Sequence, residues 1–157
     1  MYKLRKLGLF HLRGLFRAAA ILYDCGKDMA KKYDLHHWDN SRFKTWVIIF
    51  LCVLKNRVYL VCDEEGRAVA TFQTHRTGDA MHFEKLATSP ECAGRGIGSF
   101  CIEQIEALAK SDGCGKVCME VYAPSEHAIH FYEHRGYVTT GTTKTLKYTE
   151  IKMEKQI

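Results

Sequence analysis

Proline is scarce in this chain, with only 2 among 157 residues, and no segment is repetitive or rich in Pro, Gly or Ser. Such segments usually mark the linkers between domains, so no boundary can be drawn along the sequence. A chain of this length is large enough to bury a core of its own. We therefore expect residues 1–157 to form a single domain.

Long apolar runs are also lacking. The longest, Trp46–Leu54, has nine residues, whereas a membrane-spanning helix needs about 20. The N-terminus is basic and apolar, but His11, Arg13 and Arg17 interrupt it too early for the apolar part of a secretory signal. The sequence thus favours a cytoplasmic protein without a membrane partner.

The seven cysteines are scattered and include no Cys-x-x-Cys pair. This pattern suggests neither a zinc ribbon nor a disulfide scaffold, and reduced thiols fit it best. His127, His130 and His134 recur at helical spacing, but no carboxylate and cysteine ligands accompany them. We expect surface histidines there and no metal.

The formal charge of +5 is a mild basic excess. It would suit an anionic ligand, but a solvated basic surface explains it equally simply. A nucleic-acid-binding function would rest on this charge alone, and no basic block supports it. We therefore expect no nucleic-acid partner.

Hydrophobic periodicity predicts an α+β chain built around a mostly antiparallel sheet. The second helix starts at Ser41, although its later part is apolar enough to be a strand. The predicted elements, in order, are strand 1–7, helix 8–33, helix 41–54, strands 58–62, 67–74 and 81–88, helix 97–110, strand 117–122, helix 125–135, and strands 137–140 and 146–153.

Three glycines, Gly94, Gly96 and Gly98, stand between a predicted strand and a predicted helix. Such an arrangement lets backbone N–H groups face an anion at a helix N-terminus. The spacing fits neither a dinucleotide-binding fingerprint nor a P-loop. Taken alone, the stretch could equally be a plain glycine-rich turn.

Two further sequence motifs flank the glycine-rich stretch, however. Pro90-Glu91 precedes the glycines, and Ala128-Ile129-His130-Phe131-Tyr132-Glu133 leads to Gly136-Tyr137 one strand later. This order and spacing resemble the GNAT superfamily of N-acetyltransferases, well over residues 45–155 and loosely before them. The resemblance implies the GNAT acyl-CoA N-acyltransferase fold, a mixed, mostly antiparallel sheet flanked by helices with splayed central strands.

The resemblance also implies acetyl-CoA as cosubstrate. Its pantetheine arm would lie along Leu86, Ala87 and Thr88. Ser125 stands where many relatives have Asn; it could contact that arm or, as we favour, cap the next helix. The pyrophosphate would lie on largely backbone contacts from Ala93, Gly94, Arg95, Gly96, Ile97, Gly98 and Ser99. Ala93 replaces the usual Arg or Gln.

By the same resemblance, Tyr132 would be the general acid. Side-chain alternation places His82 and Glu84 on one strand face with Leu86. Glu84, nearer the thioester, is our candidate base and His82 a relay, although both could simply be solvated. His36-His37-Trp38 could line the acceptor site or be a packed loop.

The predicted reaction is N-acetylation of an unidentified primary amine by direct attack in a ternary complex. The alternative is a non-catalytic acyl-CoA-binding or regulatory module of the same fold. The sequence leaves a homodimer open.

Overall fold

Seven strands form one mixed sheet in the order β1-β2-β3-β4-β5-β7-β6, in a computed structural model that describes residues 1–157. The predicted α+β order is confirmed. Four helices flank the sheet, and Pro90–Cys92 adds a short 3₁₀ turn. The elements are β1 (Lys3–Leu7), α1 (Leu12–Tyr33), α2 (Arg42–Lys55), β2 (Arg57–Cys62), β3 (Ala68–Thr77), β4 (Ala80–Thr88), α3 (Ile97–Ser111), β5 (Lys116–Tyr122), α4 (Glu126–Glu133), β6 (Val138–Lys144) and β7 (Thr149–Gln156).

The central strands β4 and β5 are the one parallel pair, and they separate early. Only Ala80, Met81 and His82 of β4 pair with β5. Farther along, β4 stays paired with β3 and β5 with β7. The two strands therefore splay apart in the middle of the sheet, as predicted.

Helices cover the two faces of the sheet with separate apolar cores. On one face, α3 packs Cys101 and Ile105 against strand residues such as Phe72, and α4 adds partly buried residues. On the other, α1 and α2 pack Leu15 and Ile49 against residues such as Leu60. The splay between β4 and β5 thus opens between helices on both sides.

A bulge interrupts β4 just beyond the splay point. Lys85 has φ +50°, and the register of β4 against β3 shifts in the same region. Such a conformation costs a non-glycine residue about 1 kcal/mol or more. Met81, Phe83 and Leu86 consequently all pack toward the α3 core. The predicted common face of His82, Glu84 and Leu86 is wrong, because the bulge breaks strict alternation.

Helix α2 begins at the predicted cap. The Ser41 hydroxyl accepts a hydrogen bond from the Lys44 backbone N–H at 3.2 Å, and the helix continues to Lys55. The strand alternative for its later part is therefore wrong. No helix in the structure is both long and apolar enough to cross a bilayer.

Gly26 of α1 sets how closely the 36–40 loop approaches that helix. An added Cβ there would overlap the carbonyl oxygen of Trp38 and lie 3.0 Å from its carbonyl carbon. At Gly14 of the same helix, an added Cβ would meet only the movable end of the Leu7 side chain, at 2.6 Å.

We expect Gly26→Ala to destabilise the fold by about 2 kcal/mol, because a backbone carbonyl cannot yield without moving the loop. Gly14→Ala, with its flexible neighbour and better helix propensity, should change stability far less. Urea unfolding of both variants checks this. Equal effects would show that the loop is not held against α1.

Candidate active site

A cavity of about 590 Å³ lies where β4 and β5 separate. Its walls come from β4, β5, the start of α3, α4, the end of α1 and the loop that follows α1. The lining is about half apolar, with a few polar and charged side chains, as is usual for small-molecule sites.

The glycine-rich turn forms one end of the cavity. Gly94 and Gly96 have φ of +76° and +73°, which side chains disfavour. Gly98 has ordinary backbone geometry, but an added Cβ would lie 3.1 Å from Cζ of Phe131. Two glycines therefore shape the turn, and the third allows α3 to approach α4.

The first turn of α3 presents free backbone donors to the cavity. The first N–H with a carbonyl partner is that of Phe100, bonded to the Gly96 oxygen at 3.0 Å. No side chain caps the helix, and its first turn holds no acidic residue. The N–H groups of residues 97–99 and the helix dipole therefore favour an anion here.

The free edge of β4 forms the floor. Leu86 and Thr88 line the cavity, beyond the last residue of β4 that pairs with β5. The side chain of Ala87, only 1% exposed, packs toward α1 instead. Ala87 can therefore offer only its backbone to a ligand.

The structure brings most of the predicted coenzyme residues together. Those that line the cavity are Leu86, Thr88, Ala93, Gly94, Gly96, Ile97, Gly98, Ser99 and Ser125. Arg95 does not; its carbonyl accepts a hydrogen bond from the Tyr2 hydroxyl at 3.1 Å. Ser125 takes the N-cap position of α4, but its side chain makes no capping bond, so the favoured capping role is wrong.

Glu84 lines the cavity and sits among basic side chains. Its carboxylate lies 3.1 Å from the Lys85 ammonium and 3.6 Å from Nδ1 of His75. His82 does not line the cavity; it stacks on His75, with the ring centroids 5.1 Å apart. Burial and the neighbouring His75 lower the pKa of His82. His75 thus lies between the two candidate bases, stacked on His82 and near Glu84, but no hydrogen bond joins the three side chains.

Tyr132 of α4 lines the same cavity. Its ring lies beside Phe83 of β4 and Tyr137, with centroids 5.9 Å from each. Burial raises the pKa of its hydroxyl well above the ordinary value. The hydroxyl is therefore protonated at neutral pH, as an ordinary tyrosine is, and burial makes it a weaker acid.

The loop after α1 closes one side of the cavity through ring stacking. His37 stacks on Tyr122 of β5 at 4.2 Å, and Tyr33 stacks on His127 of α4 at 4.3 Å. His37 and Trp38 both line the cavity. Both also pack against the protein, His37 on Tyr122 and Trp38 against the core under α1. Tyr33 and His127 were not predicted as lining residues, because the stack joins positions far apart in sequence.

Glu120 also lines the cavity and was missed. The burial of Glu150, together with the charges of Glu120 and Glu84, raises the pKa of Glu150. The three carboxylates therefore lie close enough to affect one another, and Lys85 offsets part of their charge. Nothing in the sequence around Glu120 distinguishes it from an ordinary exposed strand residue.

The Cys25 thiol is buried, and each of the three histidines of α4 contacts a different neighbour. Burial raises the pKa of Cys25, at the cavity wall, to about 11, which disfavours the nucleophilic thiolate. His130 Nδ1 lies 3.0 Å from the Glu133 carboxylate, and His134 Nδ1 lies 2.7 Å from the His130 carbonyl. With His127 stacked on Tyr33, the three rings make separate contacts.

The mixed sheet, its flanking helices and the cleft at the splay define the acyl-CoA N-acyltransferase fold. A sequence profile of the acetyltransferase (GNAT) family matches residues 21–137. The chain therefore belongs to the GNAT acetyltransferase family, which confirms the resemblance noted in the motifs.

Three solved structures are similar. PaiA N-acetyltransferase from Thermoplasma acidophilum, in complex with coenzyme A, is 14% identical with TM-score 0.78, over 100% of this chain and 99% of that one. The ribosomal-protein-S18-alanine N-acetyltransferase from Escherichia coli is 19% identical with TM-score 0.71, over 100% of this chain and 94% of that one. Nourseothricin acetyltransferase is 20% identical with TM-score 0.60, but the match covers 64% of this chain and 65% of that one. At these identities the likeness shows the fold.

His37 should make stability depend on pH. Burial lowers the pKa of His37 to about 4 from 6.5, so the unfolded chain takes up its proton first as pH falls. The contribution to the free energy of unfolding is complete above about pH 6.5 and declines toward pH 4. His37→Phe, which keeps a ring against Tyr122, should lessen this decline.

Urea unfolding across that pH range measures the effect, with His130→Gln at an exposed site as the control. If His37→Phe leaves the pH dependence unchanged, His37 is not buried as a neutral ring.

Proposed function

We propose that this protein transfers the acetyl group of acetyl-CoA to a primary amine by direct attack within a ternary complex. One observation carries the proposal: the free edge of β4 and the uncapped start of α3 meet in the same cavity. Together they match an elongated ligand that has an amide-containing arm and a diphosphate.

The diphosphate would accept hydrogen bonds from the free N–H groups of Ile97, Gly98 and Ser99. The pantetheine amides would extend the sheet along Leu86–Thr88, since β5 leaves this edge unpaired. Ser125, buried at the cavity wall without a capping bond, would be available to the same arm.

This pose would bring the thioester to the gap between the strands. A backbone N–H near Ala87 or Thr88 would stabilise the oxyanion, and proximity to the bound amine would supply much of the acceleration. Tyr132, which lines the cavity and is protonated at neutral pH, would donate its proton to the departing thiolate.

The amine must lose a proton before it attacks, because alkylammonium groups have a pKa of about 10. Glu84 lines the cavity whereas His82 does not, which supports Glu84 as the base. His82, stacked on His75 behind it, would remain a secondary candidate. The carboxylates of Glu84 and Glu120 would also favour the approach of a cationic acceptor.

The coenzyme site can be tested by placing a carboxylate at Ser99, in the first turn of α3. Ser99→Asp should maintain or raise stability, because an acid is favourable at a helix N-terminus. It should weaken coenzyme A binding by roughly tenfold, because the new charge repels the diphosphate and also engages Arg135, which contacts the Ser99 hydroxyl. Ser99→Ala is the neutral control.

Calorimetric titration with coenzyme A and thermal melting give the two readouts. Unchanged affinity in a stable Ser99→Asp protein would place the diphosphate elsewhere.

Tyr132→Phe tests the general acid. The ring packing remains, so acetyl-CoA affinity should change little. kcat should fall by roughly ten- to a hundredfold. The release of free thiol, measured with a series of amine acceptors, reports the turnover. Parent-level turnover at every pH would make Tyr132 structural, and no turnover by the parent with any amine would favour the non-catalytic module.

Glu84→Gln and His82→Gln separate the candidate bases. Removal of the base should lower kcat/KM and flatten the acidic limb of its pH profile. Glu84→Gln should do so, whereas His82→Gln should only shift that limb. The reverse result would exchange their roles, and an unchanged limb in both would mean that the amine arrives neutral.

A further inference from the structure

Helix α2 is apolar on nearly every side, yet only one side of it is buried. Thr45 and Ile49 alone are fully buried and face the sheet. On the opposite side, Phe43, Leu51 and Leu54 are 75%, 52% and 58% exposed. A helix that is apolar all round is normally enclosed, so this one lacks a partner on its outer side.

The exposed apolar surface continues onto α1. Phe16, which is 57% exposed, stacks on Trp46 with ring centroids 5.5 Å apart, and Trp46 stacks on Phe50 at 5.4 Å. Leu12, one turn before Phe16, is also exposed. We call this surface the outer face; its members are Leu12, Phe16, Phe43, Val47, Leu51 and Leu54.

Most of the charge next to the outer face is positive, although Asp24 follows on α1 and Arg17 reaches the acidic turn 63–66 at the Gly66 carbonyl. Residues 1–23 and 41–62 contain nine Lys and Arg and no Asp or Glu, while the rest of the chain has 14 basic and 18 acidic residues. Only Arg57 among the nine pairs with a carboxylate, that of Asp112. The excess of +5 therefore originates here, and the remainder of the protein is net acidic.

We propose that the outer face docks the protein on the surface of a bilayer containing anionic lipids. Phe43, Leu51 and Leu54 would enter the boundary between headgroups and acyl chains. Lys44, Lys55 and the arginines of α1 would reach the anionic headgroups. A surface contact needs no spanning helix, so the short apolar runs, which led us to expect no membrane partner, do not oppose it.

Charge and chemistry disfavour the other occupants. A second copy seated on the same face would bring two predominantly basic surfaces together. Nucleic acid would match the charge, but its phosphates and sugars do not bury Leu and Phe side chains. An anionic bilayer satisfies both the apolar and the basic parts of the face.

The test is co-sedimentation of the full chain with vesicles of phosphatidylcholine alone or with roughly one-third phosphatidylserine. We expect binding to the phosphatidylserine vesicles that weakens at high salt. Phe43→Ser should lower the partition coefficient about tenfold, and Lys44→Glu by at least about tenfold. Matched controls are Val138→Ser and Lys110→Glu, exposed residues on β6 and α3, which should bind like the parent.

Thermal melting shows whether Phe43→Ser remains folded, and Leu54→Ser replaces it if it does not. The proposal is overturned if the parent protein does not bind anionic vesicles, or if the outer-face variants bind them as well as the control variants do. A second copy of the chain is indicated instead if the parent is a dimer without vesicle affinity and Phe43→Ser makes it a monomer. An acidic protein partner is indicated instead if polyglutamate binds the face and vesicles do not. Either result overturns the proposal. Acetyl transfer is not a readout here, so failure leaves the proposed reaction untouched.

Discussion

The parting of β4 from β5 after His82 is the constraint on which the rest of the structure depends. Two central strands can separate inside a sheet only if each keeps another partner, because unpaired backbone groups are costly once they leave water. β3 holds β4, and β7 holds β5 along its whole length. The gap therefore opens without loosening either half of the sheet.

The surrounding elements are arranged around that gap. Separate cores fix α3 and α4 on one face and α1 on the other, so the cavity has rigid walls on both sides. The cavity is lined by groups of both signs. Free N–H groups at the start of α3 make that part favourable to anions, whereas the carboxylates of Glu84 and Glu120 line another part, with Lys85 beside Glu84.

Much of the fold could be predicted because its signals are local. Ser41 caps α2 through a bond within one turn, and Gly94 and Gly96 permit the positive φ that the turn adopts. The bulge at Lys85 could not be predicted, because Lys carries no preference for that conformation. Its effect was to turn Leu86 away from the face of His82 and Glu84, so an argument from alternation alone failed there.

The sequence by itself determined the order of elements, the glycine turn and the family, because each is written in contiguous residues or in motif spacing. Only the tertiary structure decided which side chains share the cavity. Tyr33 meets His127, and His37 meets Tyr122, across separations that no periodicity encodes. It also decided that α2, despite its long apolar run, leaves Phe43, Leu51 and Leu54 exposed to solvent. Burial depends on which elements pack against a segment, and the composition of the segment alone does not specify them.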